Sequence, residues 1–204
     1  MFMLLAALAP ASCSDSSSNY MTQSQYTLVC EILDFADSAA YAGATVTDGD
    51  TWVSFIDSDG DGELDDDETV IYKETVTNSF SGVDDEDQTY VLEKTYDYED
   101  SYGDSVAGTY SETILYSGYA EYWTADESTE SGYKADTYSR YITEEYDLSA
   151  TIDGKAHTLK LKLCQTRVYV REDSVTNLDS RTYTSSSTVL DGSSLKGYED
   201  YKNY

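Results

Sequence analysis

Asp153-Gly154 lies between two runs in which apolar and polar residues alternate, and nothing else in the chain limits its fold so strongly. An Asp-Gly pair supplies the positive-φ positions of a two-residue hairpin turn. Around it, His157, Leu159, Leu161 and Leu163 share one parity, and Thr158, Lys160 and Lys162 the other. Period two with one apolar side predicts a strand covered on one face. The same reading extends along the chain. Thr89–Tyr96 carries Tyr90, Leu92, Tyr96 and, just beyond, Tyr98 on one parity, and Thr109–Trp123 carries Tyr110, Ile114, Tyr116 and Tyr122. Tyr138–Tyr146, Arg167–Arg171 and Thr182–Val189 add further strands. Strands at hairpin spacing, about eight to ten of them, without strand–helix–strand alternation predict a mainly β fold. The expected form is an antiparallel meander closed as a barrel or folded as a sandwich. One short N-terminal helix accompanies it: Leu28, Val29, Ile32, Leu33, Ala36, Ala39 and Ala40 recur at helical spacing between Ser24 and Ala40.

The chain has 204 residues, enough for one sizeable core. Its 40 acids against 12 Lys and Arg give a formal charge of −28, which repels nucleic acid and anionic membrane surfaces and attracts cations. So acidic a chain can remain disordered; the 21 tyrosines and many β-branched residues favour folding instead. Five basic residues, Lys155, Lys160, Lys162, Arg167 and Arg171, fall close together. Pairing with acids on neighbouring strands is the simplest role for them.

Asp57-Ser-Asp-Gly-Asp-Gly-Glu-Leu-Asp-Asp-Asp-Glu68 places acids at positions 1, 3, 5, 9 and 12 of a twelve-residue stretch, glycine at 6 and an aliphatic at 8. This resembles the EF-hand calcium loop. The resemblance implies carboxylate ligands from Asp57, Asp59, Asp61 and a bidentate Glu68. It adds the backbone carbonyl of Glu63, and Asp65 directly or through water. Hard oxygen ligands in that number favour Ca²⁺. The runs on either side, Trp52–Ile56 and Thr69–Tyr72, have strand character rather than the helices of an EF-hand. The likeness therefore covers twelve residues, and a structural ion between two strands is the expectation.

Met1–Pro10 is apolar, too short to span a bilayer, and has the length of a signal-peptide core. With Ala11, Ser12 and Cys13 it resembles a bacterial lipoprotein signal, which implies cleavage after Ser12 and lipid attachment at Cys13. Pro10 departs from that pattern, as does the lack of Lys or Arg before the apolar run. Residues 1–12 are thus expected as signal peptide, 13–22 as a polar tether, 23–190 as the β-rich domain containing loop 57–68, and 191–204 as a flexible tail. Outside the cytoplasm Cys30 and Cys164 can form a disulfide, contributing about 3–5 kcal/mol, or stay free thiols.

No nucleophile elbow, phosphate loop or His/Cys zinc cluster occurs, and His157, the sole histidine, sits on an apolar parity. The chain reads as a structural or ligand-binding module with a protein or glycan partner. Trp52, Trp123 and tyrosines are a candidate stacking platform for such a partner, or else core. The alternative is a secreted glycan-acting hydrolase with a structural calcium, using two carboxylates.

Overall fold

A computed structural model describes residues 19–79, 87–117, 137–172 and 175–202. After helix α1 (Gln23–Ser38) and one 3₁₀ turn (Ala39–Tyr41) come nine strands: β1 (Ala44–Asp48), β2 (Thr51–Ile56), β3 (Thr69–Ser79), β4 (Asp87–Glu99), β5 (Ser105–Ser117), β6 (Thr137–Ile152), β7 (Lys155–Glu172), β8 (Val175–Leu190) and β9 (Ser193–Leu195). A short helix α2 (Tyr198–Lys202) follows. The strands form one sheet in unbroken order from β1 to β9, every neighbouring pair antiparallel.

The expected hairpin is present. Ile152 pairs with Lys155, and Asp153 and Gly154 take φ of 51° and 71°. Arg167–Arg171, read as a separate strand, is the far end of β7. From this turn the ladder carries alternation across the sheet. Leu159 faces Leu148, Leu161 faces Tyr146, and Tyr110 faces Tyr146 on the other side. On that face Leu159, Leu148, Val106, Tyr96 and Tyr72 are buried, and Val29, Ile32 and Ala36 of α1 join the same cluster. Each fully buried aliphatic contributes roughly 1.5–3 kcal/mol. Helix α1 starts at a capping box: Thr22 Oγ1 accepts from Gln25 N–H, and Gln25 Oε1 accepts from Thr22 N–H at 2.8 Å.

Two glycines are set by close backbone approach. A Cβ on Gly108 would lie 2.1 Å from the Asp147 carbonyl oxygen, and one on Gly43 2.1 Å from that of Phe55. The Gly43 contact sits beside the β2–β3 register shift at Ser54/Phe55, where buried Ser54 donates its hydroxyl to the Ala40 carbonyl at 2.6 Å. Helix, turn and sheet are fastened there.

Three expectations need correction. The sheet stays open, with β1 and β9 at its ends, so the barrel is not formed. Covering by α1 and the C-terminal segment buries the apolar face without closure. The segment after Leu190, expected as a loose tail, is packed. Asp191-Gly192 makes a second tight turn with φ of 50° and 76°, β9 pairs with β8, and Tyr198 is 1% exposed. The end of the expected tether is docked too: Met21 N–H donates to the Lys196 carbonyl and Tyr201 Oη donates to that of Met21. The leader, Cys13 and Trp123 lie outside the described residues.

Candidate metal centre and adjoining cleft

The last β2–β3 pair, Ile56 and Thr69, closes the acidic stretch into a loop between two strands, as its flanks foretold. Inside, carboxylates turn inward because they accept from the loop's own backbone. Asp57 Oδ1 accepts from Gly60 N–H at 2.6 Å and Oδ2 from Gly62 N–H at 3.1 Å. Asp59 accepts from Asp61 N–H at 3.1 Å, and Asp61 from Glu63 N–H at 2.8 Å. Gly60 and Gly62 have φ of 81° and 78°, a backbone that other residues adopt at a cost. Ligand oxygens of Asp57, Asp59 and Asp61 thereby meet within 4.8 Å of one another.

Glu68 ties the end of the loop to its start, accepting from Ser58 N–H at 2.7 Å and from Asp65 N–H at 3.2 Å. The carboxyl of Asp65 is raised above its usual range, first by the negative charge of Asp61, then by burial and by Asp59, Glu68 and Asp67. Of the six residues expected as ligands, three converge, Glu68 bridges the loop, and Asp65 lies in their field. Glu63 contributes its N–H to Asp61. An all-oxygen donor set of this kind fits a hard divalent cation and not zinc.

Ile56 and Thr69 also border a cleft of about 720 Å³. Buried Ile71 and Val106 line it, together with Tyr98, whose ring stacks on Phe35 at 5.4 Å. Across from the loop it is lined by His157 and Asp191. His157 Nδ1 is 2.9 Å from Asp191 Oδ2, and Asp191 Oδ1 accepts from Thr158 N–H at 2.9 Å. Burial works to raise the Asp191 carboxyl, yet the bonds from His157 and Thr158 hold it below its ordinary range. Asp97 and Glu99 also border the cleft, from the parity of β4 opposite to that of Tyr98. Sequence reasoning placed His157 on the apolar parity but missed its partner. The signal was present in Asp191-Gly192, a second Asp-Gly pair between strand-like runs.

A polar row crosses the covered face farther along. Lys94 faces Glu74 and Tyr110, and Glu112 faces Glu144. Lys94 Nζ lies 3.7 Å from both Asp37 of α1 and Glu74, and 5.3 Å from the Tyr110 ring centroid. Burial first, then Glu144, pushes the Glu112 carboxyl up; Arg167, Lys94 and the Tyr110 hydroxyl pull the other way. Glu144 accepts from buried Gln165 at 2.7 Å, and Gln165 Oε1 accepts from Arg167 at 2.9 Å. These residues interrupt apolar parities, which is the signal the sequence held.

Of the basic group on β7, Lys160 and Lys162 pair with acids as expected, whereas Arg167 lies directly opposite Arg140 and Arg181 and donates to Gln165. Lys160 reaches Asp147 at 2.7 Å and Lys162 reaches Glu145, each directly opposite on β6. Cys30 and Cys164 are free thiols. Cys164 has the parity of Lys160 and Lys162, opposite to that of Leu161 and Leu163, which face α1 and hence the element bearing Cys30. The disulfide alternative is therefore not realised in this geometry. Trp52 meets Tyr41 edge-on at 6.5 Å, while Tyr72, Tyr96, Tyr110 and Tyr198 belong to the core. No family model, curated protein or solved structure matches the chain.

Proposed function

We propose that this chain is an extracytoplasmic, calcium-binding β module, anchored through a lipid at Cys13 and serving a structural or ligand-binding role. One observation carries the ion: three carboxylates held within 4.8 Å by bonds to their own loop. Like charges that close repel unless a cation lies among them. The strand flanks make the ion a fixed staple between β2 and β3 rather than a switch between helices. Placement outside the cytoplasm rests on the leader and on Cys13. Calcium is plentiful there, so millimolar affinity suffices.

Thermal melts in EDTA and in excess Ca²⁺ test the ion. Saturation at a hundred times Kd contributes about 2.7 kcal/mol, a rise of several degrees for a chain of this size. Asp57→Ala combined with Glu68→Gln should abolish the rise. An equal midpoint in both media would sink the proposal.

A second reading, a hydrolase acting on glycans, is favoured by Glu112 and Glu144. They form a directly opposed carboxylate pair, one member with a raised pKa, as an acid–base couple requires. If it holds, hydrolysis of a neutral oligosaccharide disappears in Glu112→Gln and in Glu144→Gln while both variants remain folded.

A further inference from the structure

The two ends of the open sheet differ in how they are guarded. At one end β8 carries two register shifts, β9 pairs with its last residues, and α2 packs along it. Bulges and covering segments of that kind keep an edge strand from recruiting another strand. β1, at the other end, has none of them. Its register with β2 runs unbroken from Ala44–Phe55 to Asp48–Thr51, and it contains no lysine or proline. Among the described residues nothing hydrogen-bonds to its outer side.

The turn Gly49-Asp50 joins β1 to β2, with Gly49 at φ 56°. A two-residue turn is closed by a hydrogen-bonded pair, here Asp48 and Thr51, and bonded and non-bonded pairs alternate along the ladder from there. Thr45 and Thr47 fall on non-bonded pairs, so their N–H and C=O groups point away from β2. Both residues are exposed. Directly across from Thr47 stands Trp52, 38% exposed, with the ring of Tyr41, 81% exposed, edge-on to it. Exposed aromatics beside a bare main-chain edge are apolar surface that a covering strand would bury.

Charge selects the strand. Asp48 and Asp50 stand at one end of β1. Loop 57–68, with eight acids, starts just after Phe55, the partner of Ala44 at the other end. A second copy pairing antiparallel through β1 would set its own acids against these, in a chain of charge −28. A basic strand is attracted instead.

We propose that β1 is a docking edge that adds an extended, basic segment of a partner protein as a further antiparallel strand. The main chain of Thr45 and Thr47 bonds to it, as in other strand additions. Its apolar side chains lie toward Trp52 and Tyr41, and its Lys or Arg residues at the two ends face Asp48, Asp50 and the acidic loop. The inference goes beyond the calcium reading and does not depend on it. β1 holds no ligand of the ion, and a loop of eight acids stays negative with one divalent cation bound.

The test is calorimetric titration with the capped peptide Lys-Lys-Thr-Val-Thr-Val-Thr-Lys-Lys, in excess Ca²⁺ and about 0.15 M salt. Saturable one-site binding is expected. Proline is tolerated on the open side of an edge strand. Thr45→Pro with Thr47→Pro, which removes both outward donors, should therefore keep the parent's circular dichroism and weaken binding about tenfold or more. Thr45→Ala with Thr47→Ala keeps the donors and should bind within about twofold of the parent. Asp48→Asn with Asp50→Asn should weaken binding about threefold and flatten its salt dependence. The same peptide N-methylated at every Thr and Val cannot donate and should not bind; if the proline pair loses its fold, this peptide decides alone. Equal binding of the N-methylated peptide, or full affinity in the folded proline pair, would overturn the edge. Equal binding of a peptide with Glu in place of Lys would overturn the basic partner. Self-association of the chain without peptide, lost in the proline pair, would overturn it too by making a second copy the occupant. A chain that binds calcium in the melts and no peptide here disproves the edge alone; the reverse pair of results disproves the loop alone.

Discussion

Glu112 shows how one side chain can work against the fold that holds it. It lies on the covered face between Tyr110 and Ile114, with Glu144 directly opposite. Burial and that neighbour raise its carboxyl pKa in the folded state. A raised folded pKa means that the native state holds the proton more tightly than the unfolded chain does. Its stabilising contribution is then complete below the ordinary Glu range and disappears as pH rises through the folded pKa. Glu112→Gln should therefore raise the midpoint at neutral pH, by the few tenths to about 1 kcal/mol of an opposed like-charge pair. At or below about pH 4 the gain should vanish. Melts of parent and variant across that range decide it, and a variant less stable at neutral pH would show that Arg167 and Lys94 dominate instead. The tyrosines around this row behave differently. Burial pushes the hydroxyls of Tyr96, Tyr110 and Tyr146 far up, so they are neutral across the pH range of these melts.

Among the elements, the C-terminal segment contributes more than its length suggests. Tyr198 belongs to the same cluster as Ile32 and Leu161, and the ring of Tyr26 lies 5.5 Å from it. Ser186 of β8 donates to Glu199, and α2 packs along that strand. Tyr198→Ala should cost about 3–5 kcal/mol, as truncating a buried aromatic does, and lower the midpoint by roughly ten degrees. Tyr198→Phe keeps the packed ring and should cost far less. If Tyr198→Ala melts with the parent, the segment is not part of the cooperative unit. Strand alternation and the Asp153-Gly154 turn were legible because each is encoded within a few residues. Tyr198 was not. Beyond Gly192 the chain offers only short runs, and burial of one tyrosine there depends on α1 and β7, far away in sequence.

Across the whole molecule, excess negative charge is what the surrounding solution acts on most. At −28 the compact state repels itself, and loop 57–68 packs eight acids into twelve residues. Raising NaCl from about 0.05 to about 0.5 M in EDTA should raise the melting midpoint as screening shortens the reach of that repulsion. In excess Ca²⁺ the same step should raise it less, because the densest cluster is already compensated. A midpoint indifferent to salt in EDTA would place the repulsion in the unfolded chain as much as in the folded one.

Apart from β9 and α2, which it did not show, the sequence alone determined most of the strands and their antiparallel meander, the N-terminal helix and the acidic loop with strands on both sides. Each follows from period, turn chemistry or ligand spacing within a dozen residues. Tertiary structure alone decided that the sheet stays open, that Cys30 and Cys164 stand apart, and that Asp191 meets His157. Those outcomes depend on register summed across several strands and on what covers each face. A local pattern cannot hold either, since the partners are tens of residues apart and meet only when the whole ladder is in place.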